Sequence, residues 1–226
     1  MTDITIDTIR HEVSSAVIAD AAAALWNQRA TTACATTTLE SRVPRRTIAG
    51  PAYTIRLTPS RRPDPEARNK FFNAYQGIPA GSVVVIQVVG TVGGGVLGDV
   101  VAHFWKLRGV AGVVVDGPVR DVPAVRDLDL PMWSKSVTMR GMKTIEALTE
   151  CDLEISCDGV IVRPGDLVVA DDDGVFVLPS EEEQEVVAHA WEMLRSEEKT
   201  HVELEKGKTM LECYGHPAPS ATGDQD

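Results

Sequence analysis

The spacing of apolar positions changes repeatedly along the chain and predicts alternating helices and strands. In residues 12–30, Val13, Val17, Ala21, Ala24 and Leu25 recur at helical spacing, with Ser14 or Ser15 placed to cap the start. Residues 47–58, TIAGPAYTIRLT, predict a strand entered through a Gly-Pro turn. The prolines that follow mark a loop, and PEARNKFFNAYQ predicts a short helix whose Phe71, Phe72 and Tyr75 suit a core or a subunit contact. The apolar runs in SVVVIQVVG and GVVVDG have the length of strands buried on both faces. A glycine loop and a helix lie between them, so 82–121 reads as the strand–helix–strand crossover that parallel sheets require. A short strand follows around Met132–Ser134, and 153–178 carries strand signals cut by turns, with Asp158-Gly159 suited to a tight hairpin. From Ser180 to Gly207 a long helix is expected, with Ser180 and Glu183 at capping-box spacing. The last residues, 216–226, have the composition of a disordered tail, which leaves 1–215 as one domain of the α/β class.

Composition narrows the function. At 226 residues and 43% hydrophobic, the chain has ample material for a core. A net charge of −11 argues against a nucleic-acid surface, because phosphate contacts need clustered Lys and Arg. The one basic cluster, Arg42–Arg46 and then Arg56–Arg68, is broken by prolines and acids and reads as a solvated loop face. Cys34, Cys151, Cys157 and Cys213 show neither zinc spacing nor the density of a disulfide framework, as expected of reduced thiols in the cytoplasm. No apolar run reaches membrane-spanning length, and the N-terminus lacks the layout of a signal peptide.

Chemistry concentrates in GGGVLGDVVAHFWKLRGVAGVVVDGPVRD, residues 93–121. Ligands of parallel sheets collect at the carboxyl ends of the strands, where Asp99, Arg120 and Asp121 are all expected. Gly93, Gly95 and Gly98 spell GxGxxG, with Asp116 at the end of the next strand, but Gly90–Val92 delay the turn and no second mononucleotide half follows. The same loop suits capture of a small carboxylate, since a helix starting near Gly98 offers the free N–H groups of Val100 and Val101. Arg120 and Asp121 are adjacent, so from spacing alone a plain turn ion pair, with Asp116 or Asp127 as partner, outranks a site role. His103, one helical turn after Asp99, forms a possible metal face but reads better as packed beside Phe104 and Trp105. Asp20 reads as a surface acid, and Asp171–Asp173 as a turn rather than a calcium loop.

Four segments, GPAYTIR, GGGVLGDVV, GVVVDGPVRDV and VIVRPGDLVVADDDGVFVLP, together resemble the RraA-like family, from about Ser14 to Pro179 and again over Gly207–Tyr214. That family includes the regulator of ribonuclease activity and class II pyruvate aldolases. The specific match is an Asp, twenty residues, then Arg-Asp: Asp99, Arg120 and Asp121. The resemblance implies a three-layer β/β/α, swivelling-domain-like fold with a C-terminal helix, assembled as a homotrimer or a dimer of trimers. It also implies a Mg2+ or Mn2+ site with Asp121 as direct ligand and Asp99 acting through a bound water. Arg120 would contact the keto oxygen of a pyruvyl group, and Gly98, Val100 and Val101 would hold its carboxylate. The implied activity is that of a carbon–carbon lyase acting on 4-hydroxy-4-methyl-2-oxoglutarate, or decarboxylating oxaloacetate, through a pyruvate enolate. A non-catalytic regulator binding a ribonuclease or another protein is the alternative. Two positions depart from the aldolases: Ala124 stands where they carry an acid, and Lys208 where a glutamate from a neighbouring subunit is expected, with Glu205 or Glu212 as substitutes.

Overall fold

The computed structural model describes residues 12–26, 38–60, 64–142 and 147–215; Cys34 and the predicted tail 216–226 lie outside them. The central layer holds four parallel strands, β2 (Ile48–Pro59), β3 (Val83–Val88), β4 (Gly112–Val119) and β5 (Met132–Val137), in the order β5-β4-β3-β2. Helices α2 (Ala67–Gln76), α3 (Asp99–Leu107) and α4 (Val122–Asp127) make the successive crossovers. The short β1 (Glu40–Ser41) pairs antiparallel with β5 at one edge.

The continuous apolar runs predicted for β3 and β4 are explained by burial on both sides. Val84, Ile86, Val113 and Val115 face the helices with Phe71, Tyr75 and Trp105. Val83, Val85 and Val114 face the other way, toward Trp133 and the hairpin of β7 (Ile155–Cys157) and β8 (Val160–Val162). The hairpin turn has positive φ at both Asp158 (50°) and Gly159 (91°), the primed geometry anticipated for Asp-Gly.

Strand β2 is shared. Its first half pairs with β9 (Leu167–Ala170), which pairs in turn with β10 (Val175–Leu178). Its second half pairs with β3 on one side and with β6 (Ala147–Cys151) on the other. The predicted Gly-Pro turn is therefore absent: Gly50 and Pro51 lie inside β2, where the strand changes neighbours and a missing N–H is tolerated. β6 has no counterpart in the sequence reading, because ALTEC carries no clean alternation.

Behind β9 and β10 lies a third layer, α1 (Ser15–Trp26) against the long α5 (Glu183–Glu205), with Val17, Ile18, Phe176, Leu178, Val186 and Ala190 buried between them. Ser14 caps α1 by accepting the Val17 N–H at 3.3 Å. Ser15 donates its N–H and hydroxyl to the two carboxylate oxygens of Asp171, at 2.7 and 2.6 Å, so Asp171 is a structural turn acid as expected. The capping box predicted at Ser180 does not form. Residues 180–182 make a 3₁₀ turn and α5 begins at Glu183. A capping box occurs instead at Thr209 and Glu212, opening α6 (Met210–Cys213). No helix among the described residues is long and apolar enough to cross a membrane.

Candidate active site

The loops after β3, β4 and β5 leave the sheet at the same edge, and backbone hydrogen bonds hold them together. Gly95 N–H donates to the Arg140 carbonyl (2.8 Å), Val96 N–H to Pro118 (2.9 Å) and Arg120 N–H to Leu97 (2.9 Å). From below, the buried Tyr75 hydroxyl donates to the Val96 carbonyl at 3.3 Å, so the aromatic cluster of α2 and α3 supports the glycine loop. Phe71 and Tyr75 are core residues, whereas Phe72 is partly exposed.

Close approach explains the loop's composition. A Cβ on Gly94 would stand 2.5 Å from the Gly141 carbonyl carbon, and one on Gly95 would stand 2.9 Å from that of Val119. At Gly98 it would stand 2.6 Å from Asp121 Oδ2 and 2.9 Å from Arg120 Nε. The glycines thus make room for protein at these three positions.

The Arg120 and Asp121 side chains meet, and the backbone of Asp99 joins them. Asp121 has left-handed backbone angles (φ 56°, ψ 32°), which turn its carboxylate back toward its neighbour. Arg120 Nε then lies 3.1 Å from Asp121 Oδ2, and the Asp99 N–H donates to that same oxygen at 3.4 Å. The side chains of the pair are 40 and 35% exposed, open to a ligand. Gly98, in extended conformation, precedes α3 and supplies no side-chain cap, so the first turn of the helix, with Val100 and Val101, is left for an external acceptor. The arrangement thus sets the Asp121 carboxylate between a guanidinium on one side and the first amides of α3 on the other.

Other candidates separate from it. Asp116 has both oxygens engaged, Oδ1 with Lys135 Nζ (2.9 Å) and Oδ2 with the Asp158 N–H (2.8 Å), which removes it as a ribose-binding acid and as a partner of Arg120. The Lys135 ammonium is in turn held above its usual range, chiefly by its hydrogen bond to Asp116. Nearby Cys157 is buried, and loss of water pushes its thiol far up, as an inert sulfur should be. Cys151, Cys157 and Cys213 are free thiols. His103 is exposed rather than packed, because α3 turns that face outward, and Asp20 is exposed on α1. Among the described residues no three His, Cys, Asp or Glu side chains cluster as a metal cage. One segment escaped the sequence reading: β5 runs to Val137, three residues beyond the expected Ser134, and carries Thr138, Arg140 and Gly141 to the glycine loop. Its single sequence signal is the Arg-Gly at 140–141, which is weak.

The RraA-like profile, Aldolase/RraA, matches residues 15–177. The chain belongs to the RraA-like family. It is 33% identical to Protein DlpA of Legionella pneumophila over 177 residues, 75% of this chain but 28% of DlpA. It is 36% identical over 143 residues to a protein of Halalkalibacterium halodurans named "Putative 4-hydroxy-4-methyl-2-oxoglutarate aldolase", covering 63% of this chain and 65% of that one. The alignments thus span less than two thirds of either relative. The fold matches Streptomyces coelicolor RraAS2, described as an unusual member of the RNase ES inhibitor RraA protein family, with TM-score 0.74 and 30% identity over 87% of this chain and 94% of that one. The three-layer RraA fold expected from the resemblance is therefore the fold found.

In this RraA-like chain Ala124 lies on α4, three residues after Asp121, and brings no carboxylate. Lys208 is paired with Glu203, whose carboxyl is lowered to about 2 by hydrogen bonds from Lys206 and Lys208. Of the two acids considered as substitutes, Glu212 is engaged in the capping box and Glu205 is exposed.

Proposed function

We propose that the chain is a divalent-metal-dependent carbon–carbon lyase, cleaving or decarboxylating a 2-oxo acid by way of a pyruvate enolate. The observation that carries this reading is the shared Asp121 Oδ2, contacted by both Arg120 and the first N–H of α3. A hard cation fits the donor type: the partly exposed carboxylate of Asp121 is present, Asp99 follows at the start of α3, and Mg2+ is commonly held by one or two carboxylates with water completing its shell. Asp121 would be the direct ligand and Asp99 would act through a water. When bound, Mg2+ or Mn2+ would supply Lewis-acid stabilisation of the oxyanion.

The chain's own residues do the rest. The N–H groups of Val100 and Val101, beside Gly98, take the substrate's 1-carboxylate with help from the helix dipole. Arg120 uses Nε on Asp121, leaving its terminal nitrogens for the keto oxygen, where negative charge grows as the carbon–carbon bond breaks. Lys106 and Lys135 are committed to the Asp129 carbonyl and to Asp116, which agrees with a route without a lysine Schiff base. Aldol cleavage and oxaloacetate decarboxylation pass through the same enolate, so one pocket serves both. We also propose a homotrimer, or a dimer of such trimers. The apolar Val100, Phe104 and Leu107, spaced four and three residues apart on α3, expose 76, 37 and 75% of their surface and suit burial against another copy.

The test is pyruvate release from 4-hydroxy-4-methyl-2-oxoglutarate and from oxaloacetate with Mg2+ or Mn2+, against a chelator control. Metal-dependent release supports the reading. No release from either, with the assembly intact, would move the chain to the other reading, a non-catalytic regulator of a ribonuclease or another protein, which its likeness to RraAS2 favours. Such a regulator would act equally well in chelator.

A further inference from the structure

The end of β4 that leads to Arg120 is offset by a bulge. Val115 lies opposite Ser134 and Pro118 opposite Ser136, so Asp116 and Gly117 together face the single residue Lys135 of β5. Pro118 suits this place, since proline has no N–H to donate and is tolerated in sheets at edges and bulges. Gly117 suits it by close approach: a Cβ there would stand 2.5 Å from Val88 Cγ2. These two residues permit the bulge, and charged side chains fasten it. Lys135 Nζ donates to Asp116 Oδ1 at 2.9 Å and to Asp158 Oδ1 at 3.2 Å. Asp116 Oδ2 accepts the Asp158 N–H at 2.8 Å, and the Thr38 hydroxyl donates to Asp158 Oδ1 at 2.6 Å. Both carboxylates are largely buried, so salt screens these contacts less than it would a surface pair. The residues facing each other across the bulge are thus ion-paired, and the β7–β8 turn braces the pair.

This register sets the surroundings of Arg120. Its guanidinium lies between two glycines: a Cβ on Gly98 would stand 2.9 Å from Nε, and one on Gly141, beyond β5, would stand 3.2 Å from Nη1. The Val119 carbonyl accepts the Thr138 N–H at 2.9 Å, which ties the start of that β5 extension to the end of β4. Without the bulge the ladder would run evenly from Val115, and the end of β4 would move by one residue, about 3.3 Å, along β5. That shift exceeds the clearance on the Gly141 side, so the guanidinium would be displaced or lose its wall. We propose that Lys135 and Asp116 are positioning residues for Arg120, their ion pair fixing the register in which Arg120 and Asp121 leave β4. The effect on turnover rests on the lyase reading, whereas the effect on the Arg120–Asp121 contact does not.

The experiment compares wild type with Lys135→Met, Lys135→Arg and Asp171→Asn. Methionine keeps an unbranched stem and removes the charge, and arginine keeps the charge. Asp171, the buried acid that receives Ser15, controls for stability lost away from β4. The first readout is the NMR signal of the Arg120 Nε–H, assigned by its loss in Arg120→Lys and recorded without metal or substrate. The second is kcat and KM for pyruvate release in Mg2+. Lys135→Met should shift the Nε–H signal and lower kcat by about 10- to 100-fold with KM within a few-fold, because Arg120 acts on charge that grows in the transition state. Lys135→Arg should restore the signal and most of kcat. Asp171→Asn should lower Tm and leave the signal and kcat in place. An unmoved signal in Lys135→Met overturns the proposal, and so does an equal displacement in Asp171→Asn, which would leave Lys135 with a role in stability alone. If wild type releases no pyruvate while the signal still moves in Lys135→Met, the positioning role stands and the lyase reading fails by itself.

Discussion

Replacing Gly98 with alanine is the sharpest probe of the Arg120–Asp121 pair, because it adds one methyl group and little else. Gly98 has φ −134° and ψ −174°, extended angles that alanine adopts without strain. The new Cβ would stand 2.6 Å from Asp121 Oδ2 and 2.9 Å from Arg120 Nε, when ordinary contact begins near 3.4 Å. Both groups must therefore retreat by several tenths of an ångström. The pair is partly exposed, so its disturbance costs about 0–1 kcal/mol. Alanine at an N-cap adds up to about 1 kcal/mol. Together these shift Tm by less than about 8 °C for a domain of this size. Catalysis should suffer far more, since a misplacement approaching 1 Å in a positioned group costs about 100-fold.

The assay is kcat/KM for pyruvate release, normalised to folded protein. Gly112→Ala is the control. Its Cβ would meet Ile48 Cδ1 at 2.5 Å, at the other end of β4 from the site. That overpacking should cost about 1–3 kcal/mol in stability and leave the turnover of folded molecules near wild type. The reasoning is refuted if Gly98→Ala keeps kcat/KM within three-fold, or if Gly112→Ala loses as much per folded molecule.

Arg120→Ala should remove turnover by about 100-fold or more, and Asp121→Ala should abolish the response to added metal. Thermal melts should show both changing stability by no more than about 1 kcal/mol, because the pair they break is partly exposed. Tyr75→Phe should lose about 1 kcal/mol, seen as a Tm drop of about 2–4 °C, because it leaves the Val96 carbonyl without its buried donor. Glu203 titrates near 2 because Lys206 and Lys208 hold its charged form. Its contribution to stability is present above the usual glutamate range and is lost as pH falls through that range toward 2. Carboxyl NMR of Lys208→Ala should show Glu203 titrating higher, and 1 M salt should narrow the difference, since the cluster is exposed.

The parts of this molecule legible in the sequence are those encoded locally. Valine runs buried on both faces reveal β3 and β4, and Asp158-Gly159 reveals its turn through the angles those residues tolerate. Asp99, Arg120 and Asp121 could be placed at one sheet edge because a crossover fixes which ends of its strands coincide. Their contact could not be read, since it depends on the left-handed turn at Asp121, which neighbouring residue types do not dictate. Gly50-Pro51 misled because a proline inside a strand is tolerated only where pairing changes, and that change is made by β9, more than a hundred residues later.

Arg140 was the least legible of all. Its place beside the glycine loop depends on the bulge between Val115 and Pro118, which shifts the β4–β5 register, and on the Gly95–Gly141 bridge beyond it. These are long-range features with no local signature. Yet they decide what lies next to the Arg120–Asp121 pair. The placement of Asp99, Arg120 and Asp121 at one sheet edge can thus be read from a crossover and a short motif. What surrounds them depends on how the loops after β3, β4 and β5 meet.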